Sequence, residues 1–214
     1  LLGKPDIPQK NYMSSAENPD PIIRAVGWGG YADSIVRDTK VNGTDTVFDV
    51  HYSTDNFHNR ITPRNADDSV KKNKYALFFG CSVAYGWGIE DNQTLPYYFQ
   101  QNSELFHSYN YAYSGWGTQQ MLARLKHEDI KSRIKEKEGI AVYVFVWSHI
   151  RRVIGEYTSF TEWAWSWPYF EIEGDTLADK GNFLDNRKLI SGIYRILYHS
   201  YVNRYFKLNF PINT

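Results

Sequence analysis

A chain of 214 residues suffices for one domain of ordinary size with a sizeable core and leaves little room for a second. Lysine plus arginine and aspartate plus glutamate balance at 24 each, so no global field recruits a polyanion and nucleic acid is not an expected partner. A single cysteine excludes an internal disulfide and any multi-cysteine zinc or iron–sulfur site, and no apolar run approaches the roughly 18 residues of a membrane span. The first residues, Leu1-Leu2-Gly3, lack an initiator methionine, so the sequence is expected to be the remainder of a longer product. Export or anchoring through a removed N-terminal segment stays open. Aromatic residues reach 17%, which suits a generous core or a surface that stacks on sugar rings.

Residues 1–70 read as an N-terminal arm and lead-in strand packed on a core, and 71–214 as an α/β domain. The first 35 or so hold four of the eight prolines and little periodicity, which predicts an extended arm. Val47 to Ser53 alternates and is rich in strand formers. Lys74 to Phe79 is a nearly continuous apolar run that stops at Gly80, the look of a strand buried on both faces of a parallel sheet. Thr94 to about Glu104 predicts a short helix with Pro96 in its first turn, and Phe106 to Ala112 a second strand. Thr118 to Ile134 places Met121, Leu122, Leu125, Ile130 and Ile134 near helical spacing, and Ile140 to Trp147 reads as a third buried strand. Tyr169 to Ile172, followed by Glu173-Gly174-Asp175, predicts a hairpin, and Asn186 to Asn209 a helix with Leu189, Ile190, Ile193, Ile196 and Leu197 on one face. Strand and helix alternate from 74 to 147, which implies right-handed crossovers and a parallel sheet covered by helices.

In such a sheet ligands bind beyond the carboxyl ends of the strands. Three segments follow those ends: Gly80-Cys81-Ser82, Ser114-Gly115-Trp116-Gly117 and Trp147-Ser148-His149. A serine directly after Gly-x at a strand end can present a nucleophile with unpaired backbone N–H groups around it. Gly115 lets a second N–H approach, and a polar side chain from the third loop, Ser148 or His149, can donate as well. The same Gly-x-Ser also serves as a plain strand-to-helix turn. It is not the nucleophile elbow of the α/β-hydrolases, because Ala84 stands where that motif has glycine.

Phe79-Gly80-Cys81-Ser82-Val83-Ala84-Tyr85-Gly86-Trp87-Gly88-Ile89-Glu90-Asp91, then Thr94-Leu95-Pro96, resembles the first block of the SGNH (GDSL-type) hydrolases. Asn110-Tyr111-Ala112-Tyr113-Ser114-Gly115, followed by Thr118-Gln119-Gln120 and Leu122, resembles the second, and Tyr52, Asp55 and Arg60 resemble a lead-in strand of larger relatives. The resemblance implies a flavodoxin-like, three-layer α/β/α fold and a serine esterase that cleaves ester or O-acetyl ester bonds through an acyl-Ser82 intermediate. It implies an oxyanion hole from the N–H groups of Ser82 and Gly115, no cofactor, and a small-molecule or carbohydrate ester as substrate. O-acyl transfer to a polysaccharide shares the first half-reaction, and a non-catalytic glycan-binding relative is the competing class. Two positions depart from the family pattern: Cys81 replaces an aspartate, and Ser148-His149 replaces Asn-Asp, so either residue could fill the third donor position.

The family draws its base from a late Asp-x-x-His block that nothing after Ser82 matches; the expectation is that the missing block lies beyond Thr214, leaving this form inactive or nearly so. Asp55-Asn56-Phe57-His58 is an upstream alternative, His149 another, and His51, His107, His127 and His199 read as structural. Cys81 reads as a buried spacer, since no flanking cation lowers its pKa. Trp163-Ala164-Trp165-Ser166-Trp167 puts three indoles at period two, either a glycan-facing row or a strand on the core. Arg151-Arg152 can hold an anion or face solvent, and Lys131 to Glu138 reads as a solvated helix end. The histidines lack metal-ligand spacing, and no phosphate loop is present.

Overall fold

The computed structural model describes residues 13–14, 18–65, 72–154, 166–183 and 187–206. They fall into two compact units. The first holds Met13, Gly29–Ser114 and Ile134–Tyr143, and the second holds Ser14–Trp28, Gly115–Arg133 and the described residues from Val144 onward.

In the first unit β1 (Ile35–Asn42) and β2 (Asp45–Ser53) form an antiparallel hairpin, with Ile35 opposite Ser53 and Asn42 opposite Asp45. Gly43, at φ +62° in the two-residue loop between Asn42 and Asp45, supplies the positive-φ position of the turn. The alternating run over 47–53 announced β2, whereas β1 buries the carboxylate of Asp38 instead of an apolar row and so carries no hydrophobic alternation. Next come β3 (Lys74–Gly80), β4 (Phe106–Asn110) and β5 (Glu138–Val144), in the spatial order β4-β3-β5. β3 and β4 run parallel, with Lys74 opposite Phe106 and Phe78 opposite Asn110. Ala76, Leu77, Phe78 and Phe79 are buried, as expected of a central strand.

Between β3 and β4 lie α2 (Ser82–Tyr85) and α3 (Leu95–Gln101). Thr94 caps α3 by accepting from Tyr97 N–H at 3.3 Å, and Phe99 packs edge-on to Phe78 and tilted against Phe106. The chain is thus a mixed α/β protein with a three-strand parallel sheet. β5 corrects one expectation, for it is an edge strand with Ile140 41% exposed. An apolar run reads alike at the edge and the centre of a sheet, because periodicity does not report how many neighbours a strand has.

The second unit begins with α1 (Pro21–Val26), a helix inside the stretch read as an extended arm. Asp20 accepts from Ile22 N–H at 2.8 Å, and Pro21 occupies the first turn, where its missing N–H costs nothing. α1 packs on α4 (Thr118–His127), which also meets the hairpin of β6 (Pro168–Glu173) and β7 (Thr176–Asn182). The single helix expected over 118–134 is two, α4 and α5 (Ile130–Arg133), parted where Glu128 turns extended. Its inner face is also not the apolar one. Gln119, Gln120, Ala123 and Arg124 are buried while Leu125 is half exposed, because the Glu128 carboxylate is buried between Arg124, at 2.5 and 2.7 Å, and Arg133.

The hairpin at 168–182 matches its sequence signal. Trp167 is buried and stacks on Trp28, which places that indole in the core; Trp163 and Trp165 lie outside the described residues. After α6 (Ser148–Ile154) and the hairpin, α7 (Lys188–His199) and α8 (Tyr201–Phe206) divide the expected long helix at Ser200, whose backbone is extended.

Candidate active site

Ser82 stands directly beyond the carboxyl end of β3, the central strand. Gly80 has φ +147°, Cys81 is extended and buried, and Ser82 opens α2 half-buried. The turn closes tightly: Gly86 and Trp87 both donate their N–H groups to the Ser82 carbonyl, at 2.9 and 3.0 Å. Gly86 is left-handed at φ +84°, and a side chain there would collide with Thr94 and Arg60. Among the described residues nothing hydrogen-bonds to Ser82 Oγ.

Arg60 braces this turn from below. Its side chain is fully buried, and it donates to the carbonyls of Tyr85 (2.8 Å), Gly86 (2.6 Å) and Ile89 (2.7 Å) and to Asp91 (2.8 Å). Its guanidinium also lies over the rings of Tyr52 and Tyr85. Asn110, from the end of β4, donates to the carbonyls of Ala84 (3.2 Å) and Tyr85 (3.3 Å). Tyr111 and Tyr113 N–H groups reach the carbonyls of Phe78 and Gly80. The two motif blocks are therefore laced together as far as Tyr113.

A second network fixes the loop after Gly86. Buried Asp38 accepts from Tyr52 Oη at 2.9 Å and from Trp87 Nε1 at 3.0 Å, and Tyr52 Oη accepts from Gly88 N–H at 2.9 Å. Burial pushes the Tyr52 and Tyr85 phenols well above their ordinary range, so both stay protonated at any working pH. Trp87 lies inside the first motif block, but nothing in the sequence singles out Asp38, whose one signal is an aspartate at an alternating position of a strand. Asp55 and His58 are a turn device, with Asp55 accepting from Phe57 and Asn59 N–H groups and His58 Nδ1 lying 2.8 Å from the Gly30 carbonyl.

The other candidates belong to the second unit. Gly115 adopts φ +83°, and Gly117 N–H donates to Gln120 Oε1 at 2.7 Å. Trp116 is held at both ends, its Nε1 donating to Trp28 carbonyl and its own carbonyl accepting from Arg152 Nη1 at 2.5 Å. Arg152 thus serves backbone rather than a solvated face, a role adjacent basic residues do not advertise. Ser148 opens α6 half-buried, while His149 is fully buried with Nδ1 accepting from Val146 N–H at 3.4 Å. Of these two the serine is the accessible donor.

Among the described residues no group of three His, Cys, Asp or Glu side chains could hold a metal ion, and no helix is long and apolar enough to cross a membrane. No protein-family model matches the chain, and neither does any curated protein sequence.

Proposed function

We propose that the chain is a serine esterase of the SGNH class, in a three-layer α/β/α fold, cleaving ester or O-acetyl ester bonds of a small molecule or carbohydrate. The observation that carries this reading is the placement of Ser82: partly exposed, one residue beyond Gly80-Cys81 at the carboxyl end of the central parallel strand, with its backbone clamped. A clamped backbone supports catalysis because a reacting atom misplaced by about 1 Å costs on the order of 100-fold in rate. In the reaction proposed, Ser82 Oγ attacks the ester carbonyl, its proton passes to a base, and the alcohol leaves; water then releases the acid from acyl-Ser82. The resemblance makes the N–H groups of Ser82 and Gly115 the expected oxyanion donors, with Ser148 or His149 as the third; of the latter two the Ser148 hydroxyl is the more accessible.

Fluorophosphonate labelling with the modified residue located by mass spectrometry tests the assignment. Labelling at Ser82 in a chain extended past Thr214 to the natural stop, weak or absent in the 214-residue form and lost in Ser82→Ala with thermal unfolding nearly unchanged, is the expected result. If neither the extended nor the 214-residue form labels, the alternative, a non-catalytic glycan binder, takes the lead. Saturable quenching of indole fluorescence by an oligosaccharide would then favour it.

A further inference from the structure

The opposite end of the parallel sheet holds a cavity of about 800 Å³. It opens where β3 begins at Lys74 and β5 at Glu138, and His107 of β4 lines it too. Seven residues of β3 at roughly 3.3 Å per residue put this cavity a full strand length, about 20 Å, from the Ser82 turn. The site does not depend on what Ser82 does.

Five cationic side chains, Arg64, Lys72, Lys74, Lys135 and Lys137, line the cavity against two carboxylates, Glu136 and Glu138. In a chain of zero net charge that is a local excess the composition hides. The carboxylates relieve little of it. The Glu136 side chain is buried and turned inward, accepting from Tyr109 Oη at 2.8 Å with His107 Nε2 at 3.7 Å. Glu138 is largely exposed and, among the described residues, pairs only with Lys74, at 3.9 Å. Lys135 and Lys137 make no hydrogen bond or ion pair with any described residue. Cations gathered around one concavity repel each other and focus a positive potential into it, which a bound anion would relieve.

Arg64 is held in place rather than waving in solvent. Its Nη2 donates to Tyr109 Oη at 3.0 Å, and its guanidinium lies over the Tyr109 ring. Burial and then Glu136 push the Tyr109 phenol up, so the hydroxyl remains a protonated link between Glu136 and Arg64. An oriented guanidinium fork beside exposed ammonium groups is a common recognition set for phosphate and sulfate oxygens. The volume exceeds what a bare oxyanion needs and falls within the range of small-molecule sites, roughly 300–1,000 Å³. Asn65 and Asn73 complete a lining made wholly of polar and charged residues, whose amides can meet the hydroxyls of a ligand while the aliphatic stems of the lysines meet its carbon frame.

We propose that this cavity is a binding site for a phosphate or sulfate monoester of a small hydroxylated molecule such as a sugar, with Arg64, Lys135 and Lys137 contacting the oxyanion.

Isothermal titration at low ionic strength with glucose 6-phosphate, glucose 6-sulfate, inorganic phosphate and glucose tests it. Saturable binding of either ester, absent for glucose and weakened as salt is raised, is expected. Comparison of the two esters, and of glucose 6-phosphate with inorganic phosphate, tells which oxyanion and how much of the sugar is read. Lys135→Gln with Lys137→Gln, both exposed positions that leave the fold intact, should weaken binding about tenfold, and Ser82→Ala should leave it unchanged. Binding of neither ester, equal binding of glucose, or unaltered affinity in the double variant would overturn the site.

Discussion

The two ends of the parallel sheet use cations in opposite ways. At the carboxyl end Arg60 is fully buried and each part of its guanidinium is committed, to one carboxylate and three backbone carbonyls. At the amino end Lys72 donates to the Gln100 carbonyl at 2.7 Å and Arg64 to Tyr109, while Lys135 and Lys137 pair with no described residue. A charge wholly spent on backbone stiffens a turn and offers nothing to a ligand, whereas an unspent charge adds little rigidity and is available for binding. The pattern suits chemistry at one end, where position matters most, and electrostatic capture at the other.

Removing the committed charge should have the largest effect. Arg60→Ala removes the cation beside Asp91 and four hydrogen bonds in a largely buried setting, leaving the Asp91 carboxylate only the Ser53 N–H among the described residues, so a loss of about 3–5 kcal/mol in unfolding free energy is expected from urea denaturation. Arg60→Lys keeps the charge but cannot fork to four acceptors, and it should recover only part of that loss. A loss below about 1 kcal/mol for Arg60→Ala would break the contrast between the two ends. Gly86→Ala comes next. The residue sits at φ +84° with the new methyl 2.7 Å from Thr94 Cγ2 and 3.0 Å from Arg60 Nη1, so strain and displacement together should cost about 2 kcal/mol or more. At the amino end Lys135→Gln should shift stability by no more than about 0.5 kcal/mol, and upward at low salt, because it removes repulsion rather than a partner.

The same contrast governs what could be read from sequence. Ser82, Cys81 and Gly86 lie within six residues and their turn follows an apolar strand, so local order together with the motif block around it marked Ser82 as the candidate nucleophile and Cys81 as a buried spacer. The Arg60 clasp joins residues 25 to 31 positions away, and nothing in the text around Arg60 expresses those partners. Lys72 and Lys74 stand at the start of one strand while Lys135 and Lys137 precede another, and the second run alone reads as a solvated helix end. Only the adjacency of β3 and β5 turns them into one lining. On α4 the apolar spacing correctly gave a helix but not its inner face, because a buried Arg124–Glu128 pair overrode the hydrophobic stripe.

The smallest expected effect belongs to a pair committed to each other but left in water, on the hairpin of the first unit. Arg37 donates to Asp49 through Nε at 2.7 Å and Nη2 at 2.5 Å, and Thr39 Oγ1 adds a third bond at 3.0 Å. The Arg37 hydrogen bonds, then that of Thr39, bring the Asp49 carboxyl down to about 2. A folded-state pKa below the unfolded value means the pair contributes while the carboxylate is ionised, above the ordinary aspartate value near 4, and loses that contribution as pH falls through about 2. Because both side chains are solvated, the loss should be too small to move the thermal midpoint measurably, even though the titration itself is displaced. An NMR titration of the Asp49 carboxylate carbon should find its midpoint near 2, and Arg37→Ala should return it toward 4. A midpoint that stays put in Arg37→Ala would show that pairing in water does not hold this charge, leaving burial, as at Arg60, the condition under which a paired cation organises the fold.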